Sequence, residues 1–491
     1  MASVFKKLAS QTAIYGLSSI VGRMINFLLV PIYTAVLLPE DYGIISELYA
    51  YVAFLLVFLS FGLETTYFKF LAGSKDTQNT FNQAFIILSC VNGFVLILGV
   101  LFLNTIAGLM LYENYPEFIL LLLIIVVLDS LSSLPLAKLR AEQKPMIFAR
   151  VQLASILTNI LLNLLLLLLV FNPLTDPPYH AIVYILVSNL AASALKMGLL
   201  YKTVLQVRWN LDKAMIRAML AYSFPILVAG LAFVVNETFD RILLKQLLNN
   251  ADLVPEQYAN KPLRYAEAQV GIYSANYKLT MFIALFLQAF RYAAEPFFFS
   301  NASKDPERKT YGRIMNVFVA VLCFAFLLVI LNIDLFKNFI SNEDYHVGLG
   351  IVPILLLANI FLGIYANQSI WYKLSGQTKF GAYISIAGAF ITLTLLYLLI
   401  PHFGYVAAAW TTLIVYGLQM IASYILSQKY YPIRYNLRKI GLYFFSALSI
   451  FGISTWLQLD SGVMKFFIHN VLLLAFLALI WFFEKNTIKN F

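Results

Sequence analysis

Four cations sit inside long apolar stretches of this chain: Arg23, Arg241, Lys278 and Arg291. A charge at the centre of a bilayer costs roughly 2.5–3.5 kcal/mol on insertion scales, so its default reading is functional. Spread over different depths, these groups suit passing an anion from one side to the other. Arginine would hold it through paired hydrogen bonds and lysine as a point charge. Five acids share the same stretches: Glu47, Glu64, Glu237, Asp240 and Glu295. Four positive charges against five negative do not make a basic path unless the acids pair or face elsewhere. Arg241 is four residues from Glu237 and adjacent to Asp240, Arg291 is four from Glu295, and Lys278 could meet Glu47. Arg23 has no acid three or four residues away, which favours a functional role. Asn26, Tyr49 and Gln288 offer hydrogen bonds from the same stretches, although helix packing alone accounts for many of the 30 Tyr. Asp129 and Lys196 are expected to be structural or partners of one another, and Glu64 with Lys69 to be a solvated helix end.

The elements that must position these residues are helices. About fourteen apolar runs are long enough to cross a hydrocarbon core, which takes roughly 20 residues at about 1.5 Å each. They lie near 12–37, 41–66, 83–106, 116–136, 148–171, 179–201, 219–247, 268–299, 313–335, 350–372, 380–400, 403–428, 440–457 and 465–483. Lys and Arg occupy alternate gaps between them. Of the 34, 25 fall in or at the border of one set of gaps and four lie within runs. Only Lys245, Lys261, Arg264, Lys337 and Lys465 are assigned to the opposite set. Positive loops stay cytoplasmic, so a multi-pass protein of the inner membrane with both termini in the cytoplasm is expected. Composition agrees: 61% hydrophobic, 12% charged, mean hydropathy +0.81.

The same topology explains the pI of about 9.2 without nucleic acid. The first run is too long for a removable signal and lacks a small-residue cleavage site. Cys90 and Cys323 fall mid-run, where they read as packing residues, and the four His are scattered, so neither a disulfide framework nor a metal site is indicated. There is no phosphate-binding lysine loop, dinucleotide loop or zinc-protease motif. The longest polar stretch, Asn249 to Glu267, is too short for a catalytic domain, so no enzyme and no cofactor is expected.

The chain repeats itself. Gly43-Ile44-Ile45-Ser46-Glu47-Leu48-Tyr49 is echoed by Gly271-Ile272-Tyr273-Ser274-Ala275-Asn276-Tyr277. At the same offset of 228, Phe54 matches Phe282, Phe58 matches Phe286 and Leu59 matches Leu287. Lys138-Leu139 and Lys144 match Lys373-Leu374 and Lys379 at an offset of 235. The expected fold is an all-α polytopic membrane protein: two parallel six-helix lobes, 1–210 and 211–432, around a central cavity, plus a C-terminal pair over 433–491. Parallel repeats of this kind hold substrate between the lobes and rock to alternate access. Nine of the eleven charges well inside runs lie on runs one, two, seven and eight, which the repeat makes an equivalent pair in each lobe.

The chain resembles the multidrug/oligosaccharidyl-lipid/polysaccharide exporter superfamily, in particular its bacterial O-antigen type flippases. The resemblance runs through Gly16-Leu17-Ser18-Ser19-Ile20, Gly22-Arg23, Pro31-Ile32-Tyr33-Thr34 and Asp41-Tyr42-Gly43. It continues through Asn236 to Leu244, Val270-Gly271-Ile272-Tyr273 and His402 to Trp410. It implies flipping of a polyprenyl-pyrophosphate-linked oligosaccharide to the periplasmic leaflet, driven by an H+ or Na+ gradient or the membrane potential. Glycosyltransferases and a polymerase of the same pathway would be partners. A cation-coupled drug exporter of the superfamily should carry an acid deep in the first run, and none stands between residues 12 and 37. A lipid II flippase shares the architecture and stays open as an alternative; a membrane glycosyltransferase or polymerase would need a catalytic carboxylate at the outer surface.

Overall fold

The computed structural model describes residues 24, 27–288, 290, 309–457 and 462–489. Every regular element among them is helical, with no strand. We label the long helices α1 (Pro39–Ser60), α2 (Thr77–Leu101), α3 (Pro116–Ala141), α4 (Pro145–Leu165), α5 (Pro178–Leu199), α6 (Lys213–Leu248) and α7 (Pro262–Lys278). There follow α8 (Lys309–Leu331), α9 (Val352–Gln368), α10 (Lys379–Phe403), α11 (Tyr405–Tyr430), α12 (Leu437–Trp456) and α13 (Val463–Lys489). Among the described residues, twelve helices are long and apolar enough to cross a membrane, and thirteen if α7 is joined to Met281–Gln288 across a 52° bend. The expected run 12–37 lies mostly outside the described residues, its described tail being the helix Val30–Val36.

Local chemistry sets the helix ends. Proline stands at the first turn of α1, α3, α4, α5 and α9, where its missing N–H is not needed and its φ is already helical. Asp76, Asp212 and Asn436 cap α2, α6 and α12, their side-chain oxygens accepting from backbone N–H groups at 2.9–3.1 Å. α1 stops where Phe61 and Gly62 adopt left-handed backbone, at φ of 53° and 64°. At the bend after α7, the Tyr277 carbonyl accepts from both the backbone N–H of Thr280, at 3.0 Å, and its Oγ1, at 2.8 Å, so this carbonyl is satisfied within the chain.

The chain divides into two compact units, Met1–Gly271 and Ile272–Phe491. In the first, α1 packs on α3, α5 and α6, and α3 also packs on α2 and α5. Its core gathers Tyr67, Phe81, Phe85, Leu88, Leu134 and Met219. In the second, α9 packs on α11, α11 on α10, and α8 on α9, α12 and α13. Trp371 is fully buried there and donates to Ser423 Oγ at 3.2 Å. Large apolar side chains such as Leu169, Phe390, Phe445 and Trp456 point outward, as expected of helices solvated by acyl chains.

One crossing in the first unit brings backbones together. A Cβ on Gly43 of α1 would fall 1.9 Å from the Glu267 carbonyl oxygen, and one on Gly271 of α7 1.8 Å from that of Pro39. The approach is reciprocal at the repeat offset: Pro39 and Gly43 plus 228 give Glu267 and Gly271. Each motif therefore meets its own echo, as in an isologous interface. Only a glycine, with no side chain beyond hydrogen, permits this approach, the small-residue packing that substitutes for hydrophobic drive between membrane helices. Gly43→Ala and Gly271→Ala should each force α1 from α7 at about 1–3 kcal/mol, lowering the melting midpoint of purified protein. Gly73→Ala, with open space at its Cβ, is the control; equal midpoints for all three would refute the crossing.

Candidate functional site

The crossing fixes what stands one turn away on each helix. Glu47 follows Gly43 by four residues and Glu267 precedes Gly271 by four, so both carboxyls face the same neighbourhood as the end of α6. There Lys245, in the last turn of α6, places Nζ 2.9 Å from Glu47 Oε2 and 4.0 Å from Glu267 Oε1. Glu47 and Lys245 are both wholly buried. Lys245 Nζ also donates to the Met110 carbonyl at 3.0 Å and lies 3.3 Å from the centre of the Tyr112 ring. Tyr112 donates its hydroxyl to Glu47 Oε2 at 2.5 Å. Burial and the neighbouring Glu47 carboxylate push the Tyr112 phenol well above its ordinary pKa, keeping it a donor.

The loop that supplies Tyr112 is held by α6. Gln246 donates to the Leu109 carbonyl at 3.1 Å, so successive side chains of α6 take successive carbonyls of the loop. Leu111 then adopts a left-handed φ of 61°, uncommon for a branched residue, and the chain turns to present Tyr112. One turn outward, Arg264 Nη1 meets Asp41 Oδ1 at 2.8 Å and Glu267 Oε2 at 3.8 Å. Three carboxylates thus face two cations. Asp41, Arg264, Glu267 and Tyr112 line a cavity of about 520 Å³ together with Tyr115 and Tyr179. All of this lies at the end of the first unit away from the loops rich in Lys and Arg.

The expected site residues take the following places. Arg241 Nη1 pairs with Asp240 Oδ1 at 2.8 Å, one of the two pairings expected, and donates to the Glu237 carbonyl at 2.9 Å. Asp240 is buried and Glu237 half-buried. Glu47 takes Lys245 as its ion-pair partner. Tyr49 accepts from Asn189 of α5 at 3.2 Å. Asp129 and Lys196 are partners, at 2.6 Å. Glu64 pairs with Arg140 at 2.7 Å rather than with Lys69, because α3 ends beside it. In the second unit, Lys278 ends α7 at the bend and Gln288 lies half-buried beyond it. Arg23, Asn26 and Arg291 lie outside the described residues.

Sequence reasoning missed Lys245 by assigning it to a loop. The signal was present: Glu237, Arg241 and Lys245 recur every four residues, a polar stripe on one face of α6 that continues to its last turn. Asp41 and Arg264 were read as loop charges, and their pairing spans 223 positions that no local pattern links.

A family model described as "Polysaccharide biosynthesis protein" matches residues 8–302. No curated protein matches in sequence. Among solved structures, lipid II flippase MurJ in an inward closed conformation is similar over 96% of this chain and 99% of its own, at 12% identity and TM-score 0.75. An inward-facing multidrug resistance MATE family transporter of the MOP superfamily is similar over 83% and 94%, at 12% identity and TM-score 0.64. The Vibrio cholerae MATE transporter VcmN in the bent form is similar over 90% and 99%, at 13% identity and TM-score 0.52. At these identities the likeness shows a shared fold. The family match covers more than half of the sequence, and the chain belongs to the polysaccharide biosynthesis protein family of membrane-spanning, MurJ- and MATE-like transporter folds.

Proposed function

We propose that this chain is an alternating-access flippase that moves a polyprenyl-pyrophosphate-linked oligosaccharide from the cytoplasmic to the periplasmic leaflet of a bacterial inner membrane. The observation that carries this reading is the Glu47–Lys245 pair, wholly buried at the end of the first unit away from the basic loops. With the basic loops cytoplasmic, that end is the periplasmic one, and the pair is the closed half of a gate.

The energetics suit a gate better than a girder. Two buried ions forfeit several kcal/mol of hydration each, and their attraction returns little more than that. When α1 and α6 part, water rehydrates both charges, so closed and open states differ by little. A switch needs such a balance between two arrangements. Asp41–Arg264 adds a second pair nearer the surface, and Tyr112 closes the gap between the carboxylate and the ammonium.

The pyrophosphate would be received by Arg23, Lys278 and Arg291, with Arg241 held in reserve by Asp240; Asn26, Tyr49 and Gln288 would contact sugars. The polyprenyl chain stays in lipid. Coupling to an H+ or Na+ gradient or to the membrane potential supplies direction, and glycosyltransferases and a polymerase act before and after. A second reading, flipping of lipid II, draws on the fold shared with MurJ over nearly the full length of both chains. Both substrates carry the same diphosphate-linked lipid, so liposomes loaded with each labelled lipid distinguish them.

Removing one member of the gate should cost more than removing both. Lys245→Met leaves Glu47 buried and uncompensated, about 3–5 kcal/mol against the closed state. With Cys90 and Cys323 replaced, a cysteine at Leu48 should become reactive to an impermeant maleimide added outside. Protection should return in the double variant Glu47→Gln, Lys245→Met; a Lys245→Met protein that stays protected would remove the gate. In proteoliposomes, Arg23→Ala should abolish flipping with the protein still inserted, and Arg23→Lys should retain part of it. Unchanged transport by Arg23→Ala would take that residue out of the path.

A further inference from the structure

The cavity beside the gate carries a feature that the gate does not use. Tyr115, Phe118 and Tyr179 lie mutually close: 5.3 Å between the centres of Tyr115 and Phe118, 5.2 Å for Tyr115 and Tyr179, and 5.5 Å for Phe118 and Tyr179. Their planes differ by only 14–29°. Three nearly parallel rings at equal mutual distances cannot form a column, because its outer pair would be two stacking steps apart. They form a staggered tile. Tyr115 is 41% exposed, and Phe118 behind it is buried. Tyr179 is fixed by donating its hydroxyl to Glu117 at 2.8 Å, so the tile is built rather than loose.

The same cavity is lined by hydrogen-bonding groups: the carboxylates of Asp41 and Glu267, the guanidinium of Arg264, and the exposed side chains of Glu113 and Asn114. An exposed aromatic face and polar groups lining one cavity fit a ring with an apolar face and a hydroxylated edge. That ring is a pyranose. The cavity, about 520 Å³, lies within the roughly 300–1,000 Å³ of small-ligand sites. A phosphate is disfavoured, because Arg264 is already taken by Asp41 and flanked by Glu267. A lipophilic cation is disfavoured too, because Arg264 and Lys245 offset most of the acid charge.

We infer that this cavity is a saccharide-binding site, stacking a neutral sugar ring on the exposed ring of Tyr115, which Phe118 and Tyr179 hold in place, and hydrogen-bonding it to Asp41, Glu267 and Arg264. Its physiological meaning rests on the flippase reading, in which it would receive the glycan end of the substrate at the periplasmic mouth. The aromatic tile would then hold sugars without reading their identity closely, since every pyranose offers a C–H face.

Saturation-transfer NMR on the full-length protein in detergent tests this with a panel of glucose, galactose, mannose, N-acetylglucosamine and lactose. At least one member should receive signal in the wild type. That signal should fall at least fivefold in Tyr115→Ala, whose exposed ring can be removed without opening the core, and persist in Tyr115→Phe, which keeps the ring. Melting midpoints confirm that each variant is folded. No transfer to any sugar, equal transfer to Tyr115→Ala, or displacement of the sugar by tetraphenylphosphonium at the same site would overturn the assignment. The two readings fail separately. Protein that binds sugar here but moves no lipid-linked oligosaccharide in liposomes keeps the site and loses the flippase; protein that transports without binding sugar does the reverse.

Discussion

The backbone-to-backbone crossing of α1 and α7 at Gly43 and Gly271 is the constraint from which the rest of this region follows. Two glycines let the helices approach until carbonyl oxygens sit where side chains would otherwise be. One turn from each glycine, Glu47 and Glu267 are thereby brought to the last turn of α6, and Lys245 is the group that makes their burial tolerable. Loosen the crossing and both carboxylates lose their shared cation. Packing and electrostatics are here a single interaction, written in two residue types.

That interaction spends hydration on a defined ion pair. Glu47 Oε1 has no hydrogen-bond partner and is fully buried, so the pair is incompletely satisfied. A core built only for stability would place Leu and Met at these positions. The unsatisfied oxygen, the left-handed Leu111 and the ammonium pressed against the Tyr112 ring all sit within one loop and two helix ends. Such concentration of costly features is what the proposed gate would require.

The elements that do this serve two ends. The loop from Leu109 to Tyr115 delivers Tyr112 inward to Glu47 and Tyr115 outward to the aromatic tile. Glu267 likewise faces Lys245 on one side and the cavity on the other. A sugar seated on Tyr115 would therefore lie beside residues of the proposed gate, giving occupancy a direct physical route to the ion pair.

Much of the architecture was legible in the order of residues. Apolar runs of membrane length, the alternation of Lys and Arg between them, and the matched Gly43 and Gly271 motifs each depend on spacing along one chain. The pairing of Asp129 with Lys196 was also within reach, since two lone opposite charges in neighbouring helices have few other choices. The partners of Glu47 were not. Whether it met Lys278 or Lys245 turned on how deeply the crossing draws α1 against α7, and on which turn of α6 ends beside it. Helical periodicity names the face of a residue but not the height of its neighbour. Sequence alone therefore determined a repeated, multi-span transporter fold with charges on equivalent helices. Tertiary structure decided which of those charges neutralise each other, because a pairing across some 200 residues is set by close packing and leaves no trace in local pattern.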